Sequence, residues 1–300
     1  MNIIIIGGSS FLGRNIIEEL TEGDYVSSNI AATYLHDETF PSFTKGVGVE
    51  AKRYNMQDDN YSWENYDVCI YLAGNSDHSL AAQDPSLDLS MNTAGLLHFL
   101  KSFHGHLVYM SSGAVYYGHK GYVRAGMPLA PLFAYGISKL ACEHYIQAAH
   151  YCNDLASFVN TRLFYAYGKH DKNRRLIPQV VRTLVIDGKN EFCVHGNGCS
   201  FVDPLDARYV ARVLAKAANT HGLNSTFDLC GGHNQTVIDL VHNVAKVLNK
   251  DLVVSSDYSQ ETFPVEFYSN SNILKERLNI EDPPSLEEGI NAYSRWLIRK

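Results

Sequence analysis

The sequence predicts an α/β protein, a doubly wound parallel sheet with a smaller C-terminal lobe, on three observations. An apolar strand at the start runs directly into a glycine-rich turn and a helix. Strand-length apolar runs then alternate with helical periodicity through the first half of the chain. The alternation breaks down near residues 168–175, after which helices resume. Such strand–helix alternation builds a parallel sheet, because each crossover helix covers one of its faces.

The first strand, Asn2–Ile6, has four consecutive isoleucines, which suit a strand covered on both faces. Gly7 and Gly8 allow a sharp turn, and Ser10, Phe11 and Leu12 lead into a helix expected over Phe11–Leu20. Gly13 lets that helix pack close to the strand, while the free N–H groups at its start can face a pyrophosphate. A glycine-rich turn is informative only in this strand–turn–helix context, and here it reads as a Rossmann-type dinucleotide site. Further strands are expected at Ile30–Tyr34, Asp67–Ala73, His106–Met110 and Ser157–Leu163. Apolar recurrence at three and four residues places helices at Ser86–Phe103, Ala134–Tyr151, Leu176–Asp187, Leu205–Ala218 and Val237–Leu248. Residues 1–165 read as the dinucleotide-binding domain and 166–300 mainly as a substrate-binding lobe, with segments near 203–245 returning to the sheet.

Composition bounds the function. The net charge of −7 argues against a general nucleic-acid or anionic-membrane surface. The N-terminal apolar run is one strand long and has no basic leader, so neither a signal peptide nor a membrane span is expected. Six cysteines without Cys-x-x-Cys spacing suggest a reduced, cytoplasmic protein without structural zinc. The histidines do not converge as metal ligands, so no metal is expected.

Two central features carry chemistry. The strand at 106–110 ends in Ser111-Ser112-Gly113-Ala114-Val115-Tyr116, and Tyr135 and Lys139 stand four apart at the start of a helix. Residues four apart share a helix face. A nearby ammonium favours the phenolate over a phenol of ordinary pKa ~10, which suits Tyr135 to proton transfer near neutral pH. A hydroxyl at the strand's carboxyl end, where ligands of open sheets sit, can hydrogen-bond a reacting oxygen. Tyr116 and Lys120 share the spacing, but flank Gly118 in a loop.

In order along the chain, these residues resemble the extended short-chain dehydrogenase/reductases of the NAD-dependent epimerase/dehydratase type, which act mostly on nucleotide sugars. The resemblance rests on Gly7-Gly8-x-x-x-x-Gly13, Asp67 to Gly74, Asp84-Pro85 with Asn92-Thr93-Ala94-Gly95, and Ser111-Ser112-x-x-Val115-Tyr116. It continues through Tyr135-x-x-x-Lys139, Arg162-Leu163-Phe164-x-x-Tyr167-Gly168, Gly196-Asn197-Gly198, Asp203 to Asp206 and Ser285 to Gly289. It implies that Tyr135 moves the proton, Lys139 holds the nicotinamide ribose, and Ser112, three before Val115, polarises the substrate oxygen. Cofactor contacts are implied at Leu72, Ala73 and Gly74, with Asn92 supporting them, and a homodimer through the helices at 86–103 and 134–151.

Four departures from the family pattern stand out. Ser10 replaces the middle glycine of the turn. No acidic residue directly ends the second strand, where Thr33, Tyr34 and His36 are the ribose candidates and Asp37 comes too late; this leaves NAD or NADP open, with a slight lean to NADP. Where the family often has an aspartate before the adenine contact, this chain has Asn55-Met56-Gln57-Asp58, leaving Asp58 as a candidate for the adenine side or as a solvated turn residue. Tyr165 stands where an asparagine is usual, and an arginine after Gly198 is missing, so Arg174 and Arg175 become candidates for the substrate diphosphate. Gly113-Ala114 replace the Asp-Glu pair implied for dehydratases. The expectation is therefore an NAD(P)-dependent nucleotide-sugar epimerase or 4-keto reductase; the alternative is a non-catalytic dinucleotide-binding regulatory or scaffolding subunit.

Overall fold

A computed structural model describes residues 1–23, 29–58, 61–171, 175–232, 234–258, 264–270 and 273–299. Its main sheet has seven strands: β1 (Asn2–Ile6), β2 (Asn29–Tyr34), β3 (Glu50–Arg53), β4 (Val68–Tyr71), β5 (His106–Ser112), β6 (Ser157–Leu163) and β7 (Ser225–Leu229). They lie side by side as β7-β6-β5-β4-β1-β2-β3, every pair parallel. The chain moves outward from β1 to β3 and then returns to β4 on the other side of β1. That reversal opens a crevice at the carboxyl ends of β1 and β4, where ligands of such sheets bind.

The helices are α1 (Phe11–Glu22), α2 (Phe40–Gly46), α3 (His78–Gln83), α4 (Pro85–Leu89), α5 (Gly95–Leu100), α6 (Ala134–Tyr151), α7 (Leu176–Val185), α8 (Ala207–Ala218), α9 (Val237–Val247), α10 (Ile273–Leu278) and α11 (Leu286–Ile298). The four isoleucines of β1 are fully buried and alternate between two cores. Ile3 and Ile5 pack with Ile16 of α1 and Val210 of α8; Ile4 and Ile6 pack with Phe99 of α5 and Ile146 of α6. Two-sided coverage is why this strand reads as an unbroken apolar run. Cys69 and Cys142 are buried in the second core as free thiols.

Several expected elements are redrawn. The helix at 86–103 is instead α4, a π-helical turn at Ser90–Ala94, and α5. The helix from Leu205 begins at Ala207, because Pro204–Asp206 forms a short strand and the Asp206 carboxylate caps α8 by accepting from the Arg208 N–H. The short strand β3 lacked an apolar alternation that sequence could reveal; its residues Glu50 to Arg53 are only partly covered. A third core, including Ile177, Val181, Leu240, Val244, Ile290 and Tyr293, gathers α7, α9 and α11 into the lobe. Within 203–245, α8 packs in the first core and β7 joins the main sheet, whereas α9 packs in the third core. No helix among the described residues is long and apolar enough to cross a membrane.

Candidate active site

The turn after β1 is packed closely against the next strands: a Cβ at Gly7 would come within 2.9 Å of the Ala73 nitrogen. Gly7 has φ +86°, a region that side chains disfavour. Ser10 sits at φ −67° and caps α1, its hydroxyl accepting from the Gly13 N–H at 3.1 Å. The serine in place of the middle glycine is thus a helix cap in ordinary backbone geometry. The amides of Phe11 and Leu12, in the first turn, have no intrahelical acceptor. These features fit a dinucleotide pyrophosphate.

Thr33, a ribose candidate from the sequence, is bonded to the glycine turn. It is 2% exposed, its hydroxyl accepts from the Gly7 N–H at 2.8 Å, and its carbonyl accepts from the Ser9 N–H at 3.1 Å. It pins the glycine turn to β2. The nearest carboxylate past β2 is Asp37, which pairs with Arg14 at 2.9 Å while the Arg14 guanidinium lies over Phe43. Burial alone would raise the Asp37 pKa; bonds from Thr39 and Arg14 outweigh it and hold the carboxyl below its usual range. Asp58 is exposed in a turn after β3, its N–H donating to the Asn55 carbonyl at 3.0 Å.

Past β4, the Leu72 N–H donates to the Ile6 carbonyl at 2.8 Å, and Ala73 and Gly74 continue along the crevice floor. The Asn92 carboxamide lies directly over Gly74, which has φ +130°. Buried Asp88 accepts from Asn75 at 2.7 Å and from Asn92 at 2.9 Å, and Asn92 also donates to the Ser138 hydroxyl at 3.1 Å. The π-helical turn sets Asn92 between Gly74 and α6, a local distortion of a kind common near functional sites.

The structure brings Ser112, Tyr135 and Lys139 to one end of β5 and α6. The Lys139 ammonium is buried, donating to the Met110 carbonyl at 3.1 Å and the Tyr109 hydroxyl at 3.3 Å. It lies 5.9 Å from the centre of the Tyr135 ring. An ammonium has three N–H groups, and its third has no acceptor among the described residues. That spare donor of a buried cation is what a ribose hydroxyl requires. Ser111 and Ser112 are separated by their partners: Ser111 donates to Glu143 at 2.5 Å, whereas the Ser112 oxygen accepts from the Ala114 N–H at 3.1 Å and keeps its own hydrogen to donate. Gly136 permits this convergence, because a Cβ there would come within 2.6 Å of the Ala114 carbonyl oxygen. The start of α6 therefore seats directly on the turn that follows Ser112.

On the lobe side, Tyr165 is half-buried, its hydroxyl accepting from the Ile177 N–H at 3.3 Å. The Arg175 guanidinium lies 4.9 Å from the centre of the Phe11 ring and donates to the Ala166 carbonyl at 3.3 Å. Arg175 thus bridges the start of α1 and the segment just after β6. Arg174 lies outside the described residues. Sequence reasoning missed His78, whose ring centre is 4.6 Å from that of Tyr135. The available signal was its place in the polar loop just beyond β4, at the ligand-binding end of the sheet.

A family model described as the NAD dependent epimerase/dehydratase family matches residues 3–229. A Lactobacillus helveticus UDP-glucose 4-epimerase is 23% identical over 283 residues, 84% of this chain and 83% of that protein. A Methanocaldococcus jannaschii relative, named only provisionally for the same activity, is 25% identical over 157 residues, 48% of this chain and 50% of its own length. A Thermotoga maritima UDP-glucose 4-epimerase solved with UDP-glucose aligns with a TM-score of 0.88 at 20% identity, covering 100% of this chain and 99% of that one. A Bacillus cereus UDP-glucuronic acid 4-epimerase solved with UDP-glucuronic acid and NAD aligns at 0.86 and 16% identity, again covering 100% and 99%.

Proposed function

The chain belongs to the NAD-dependent epimerase/dehydratase family, and from its site we propose that it is an NAD-dependent epimerase of a nucleotide sugar. The observation that carries this reading is the buried Lys139 ammonium beside Tyr135, with Ser112 one short turn away. NAD, when bound at the glycine turn, would take up the hydride from the sugar carbon and return it. The Tyr135 phenolic oxygen takes the proton of the sugar hydroxyl as the carbon is oxidised, and returns it on reduction. Ser112 donates to the same sugar oxygen and fixes its distance from Tyr135. Lys139 would hold the nicotinamide ribose through its spare N–H and sets a positive charge beside the Tyr135 ring.

NAD replaces the slight lean to NADP. Asp37, held ionised by Arg14, supplies the carboxylate that seemed to be missing after β2 and offers an acceptor at the ribose end. Arg175 is the candidate for the substrate diphosphate, with Tyr165 shaping that wall. Pairing of two copies through α4 and α6 completes the reading: Leu89, Ile137 and Tyr145 are 51%, 52% and 47% exposed on these helices. An apolar helix face of this kind suits a two-fold contact.

The test is denaturing release and mass analysis of the cofactor, followed by incubation with UDP-glucose, UDP-N-acetylglucosamine and UDP-glucuronic acid. Close to one NAD per chain with interconversion at one sugar carbon supports the reading. Turnover only of a 4-keto sugar with added NADPH would replace it by a reductase.

A further inference from the structure

We infer that His78 is a sugar-contacting residue, its imidazole hydrogen-bonding a polar group of the substrate beside the carbon that reacts at Tyr135. This rests on the nucleotide-sugar reading above and names a residue that reads the sugar itself.

The ring centres of His78 and Tyr135 are 4.6 Å apart with a 38° tilt, and Phe133 and Tyr117 flank the imidazole at 5.3 and 6.5 Å. The position is fixed by a continuous hydrogen-bonded path. The Asn75 side chain accepts from the Asp77 N–H at 2.8 Å, and donates to the Asp77 carbonyl at 2.9 Å and to Asp88 at 2.7 Å. Asp77 caps α3 by accepting from Ser79 at 2.8 Å, which places His78 as the first residue of that helix. From Asp88 the path runs through Asn92 to the Ser138 hydroxyl, which donates to the Tyr135 carbonyl at 3.0 Å. One network therefore positions both rings, as a preorganised binding site requires.

The imidazole nitrogens make no hydrogen bond among the described residues, and the residue is exposed. The titratable groups that bear on it are the Asp77 and Asp88 carboxylates, the Arg175 guanidinium and Tyr135. Crowding of the ring, aided by Arg175 and opposed by the two carboxylates, holds its pKa below the ordinary value. A neutral imidazole offers one N–H and one lone pair, matching a sugar hydroxyl, which both donates and accepts. The aromatic faces of Phe133 and Tyr117 suit the C–H face of the same ring.

The test compares wild type with His78→Phe, His78→Asn and His78→Gln as purified holoenzymes. Phenylalanine keeps the packing against Tyr135 and removes the hydrogen bond. Expected are unchanged cofactor content, a kcat/KM for the nucleotide sugar down about tenfold, the worth of one such bond, and weaker binding of that sugar by calorimetry. Free UDP should bind all four proteins alike. Recovery in either amide variant supports the hydrogen bond and shows which nitrogen makes it, since asparagine reaches the near position and glutamine the far one. Unchanged kcat/KM in His78→Phe, or a loss that neither amide repairs, overturns the inference and leaves the epimerase reading standing. A wild type that neither binds nor turns over any nucleotide sugar overturns both.

Discussion

Glu143 and Arg162 form a buried bidentate ion pair, with Nε to Oε1 at 2.9 Å and the second pair of atoms at 2.7 Å, one helical turn beyond Lys139. Tyr135, Lys139 and Glu143 follow at four-residue steps along one face of α6, so the pair fixes the helix rotation that presents Tyr135. Its neighbours extend the lock. Ser111 donates to Glu143, Arg162 donates to the Tyr116 hydroxyl at 2.7 Å, and Tyr116 donates to Asp228 at 2.7 Å on β7.

Removing one partner of that pair leaves a buried charge uncompensated. Glu143→Leu is expected to cost roughly 3–5 kcal/mol. The double variant Glu143→Leu/Arg162→Met should recover much of it. Urea unfolding of wild type, single and double variants reads this directly; a single variant as stable as wild type would show the pair to be dispensable.

Gly136→Ala tests the close approach of α6 to the turn after Ser112. The added methyl would press on the Ala114 carbonyl and push Tyr135 away from Ser112. Misplacement of about 1 Å can cost on the order of 100-fold in rate. The expected result is a fall in kcat with cofactor retained, measured by steady-state kinetics and cofactor release.

Tyr135→Phe keeps the ring and removes the proton-transfer oxygen. A loss of about 10²–10⁴ in kcat is expected, with bound cofactor still near one per chain. Lys139→Met, by contrast, should lower cofactor occupancy, because the spare ammonium donor disappears. Equal occupancy in both variants would separate Lys139 from cofactor binding.

His106 gives a pH signature with a definite sign. It is 1% exposed, bonded to the Ser157 hydroxyl at 2.7 Å and the Ala217 carbonyl at 3.0 Å, and burial pushes its pKa down to about 4. An unfolded histidine titrates near ~6.5. Between these values the unfolded chain binds a proton that the folded one refuses, so stability rises with pH and is lost on acidification, by roughly 3 kcal/mol in all. Asp171, which burial pushes up to about 6 against the opposing Arg175 charge, has the opposite slope over the lower part of that window. The stability difference between wild type and His106→Gln isolates the histidine: it should shift in favour of the variant as pH falls from 7 to 4. An NMR titration of His106 with a midpoint near 6.5 would contradict this.

Cofactor choice is testable at Asp37. Asp37→Ser should weaken NAD binding and free Arg14 for a 2′-phosphate, narrowing the difference between NAD and NADP in equilibrium titration. An unchanged preference would place the ribose elsewhere.

The sheet was legible because local chemistry dictates it. A run such as Ile3 to Ile6 can be buried only on both faces, and a turn such as Gly7 to Gly13 permits few paths for the backbone. The same holds for Tyr135 and Lys139, whose shared helix face follows from their spacing alone. The break at Ser90–Ala94 was not legible, because its residues keep an apolar helical rhythm and only packing over Gly74 and against Ser138 shows why the turn widens. The bonding of Thr33 was not legible for a similar reason: strand position suggested exposure at the crevice, while its hydroxyl accepts from the Gly7 amide.

By itself the sequence determined the parallel sheet, the dinucleotide turn and the Tyr–Lys pair, since each is fixed by residues close together along the chain. The tertiary structure alone decided that Ser111 locks Glu143 while Ser112 stays free, that Asp37 meets Arg14, and that His78 meets Tyr135. These pairs lie on different elements, and their contacts exist only once long-range packing has brought the elements together. No period or spacing within a single segment records that distance.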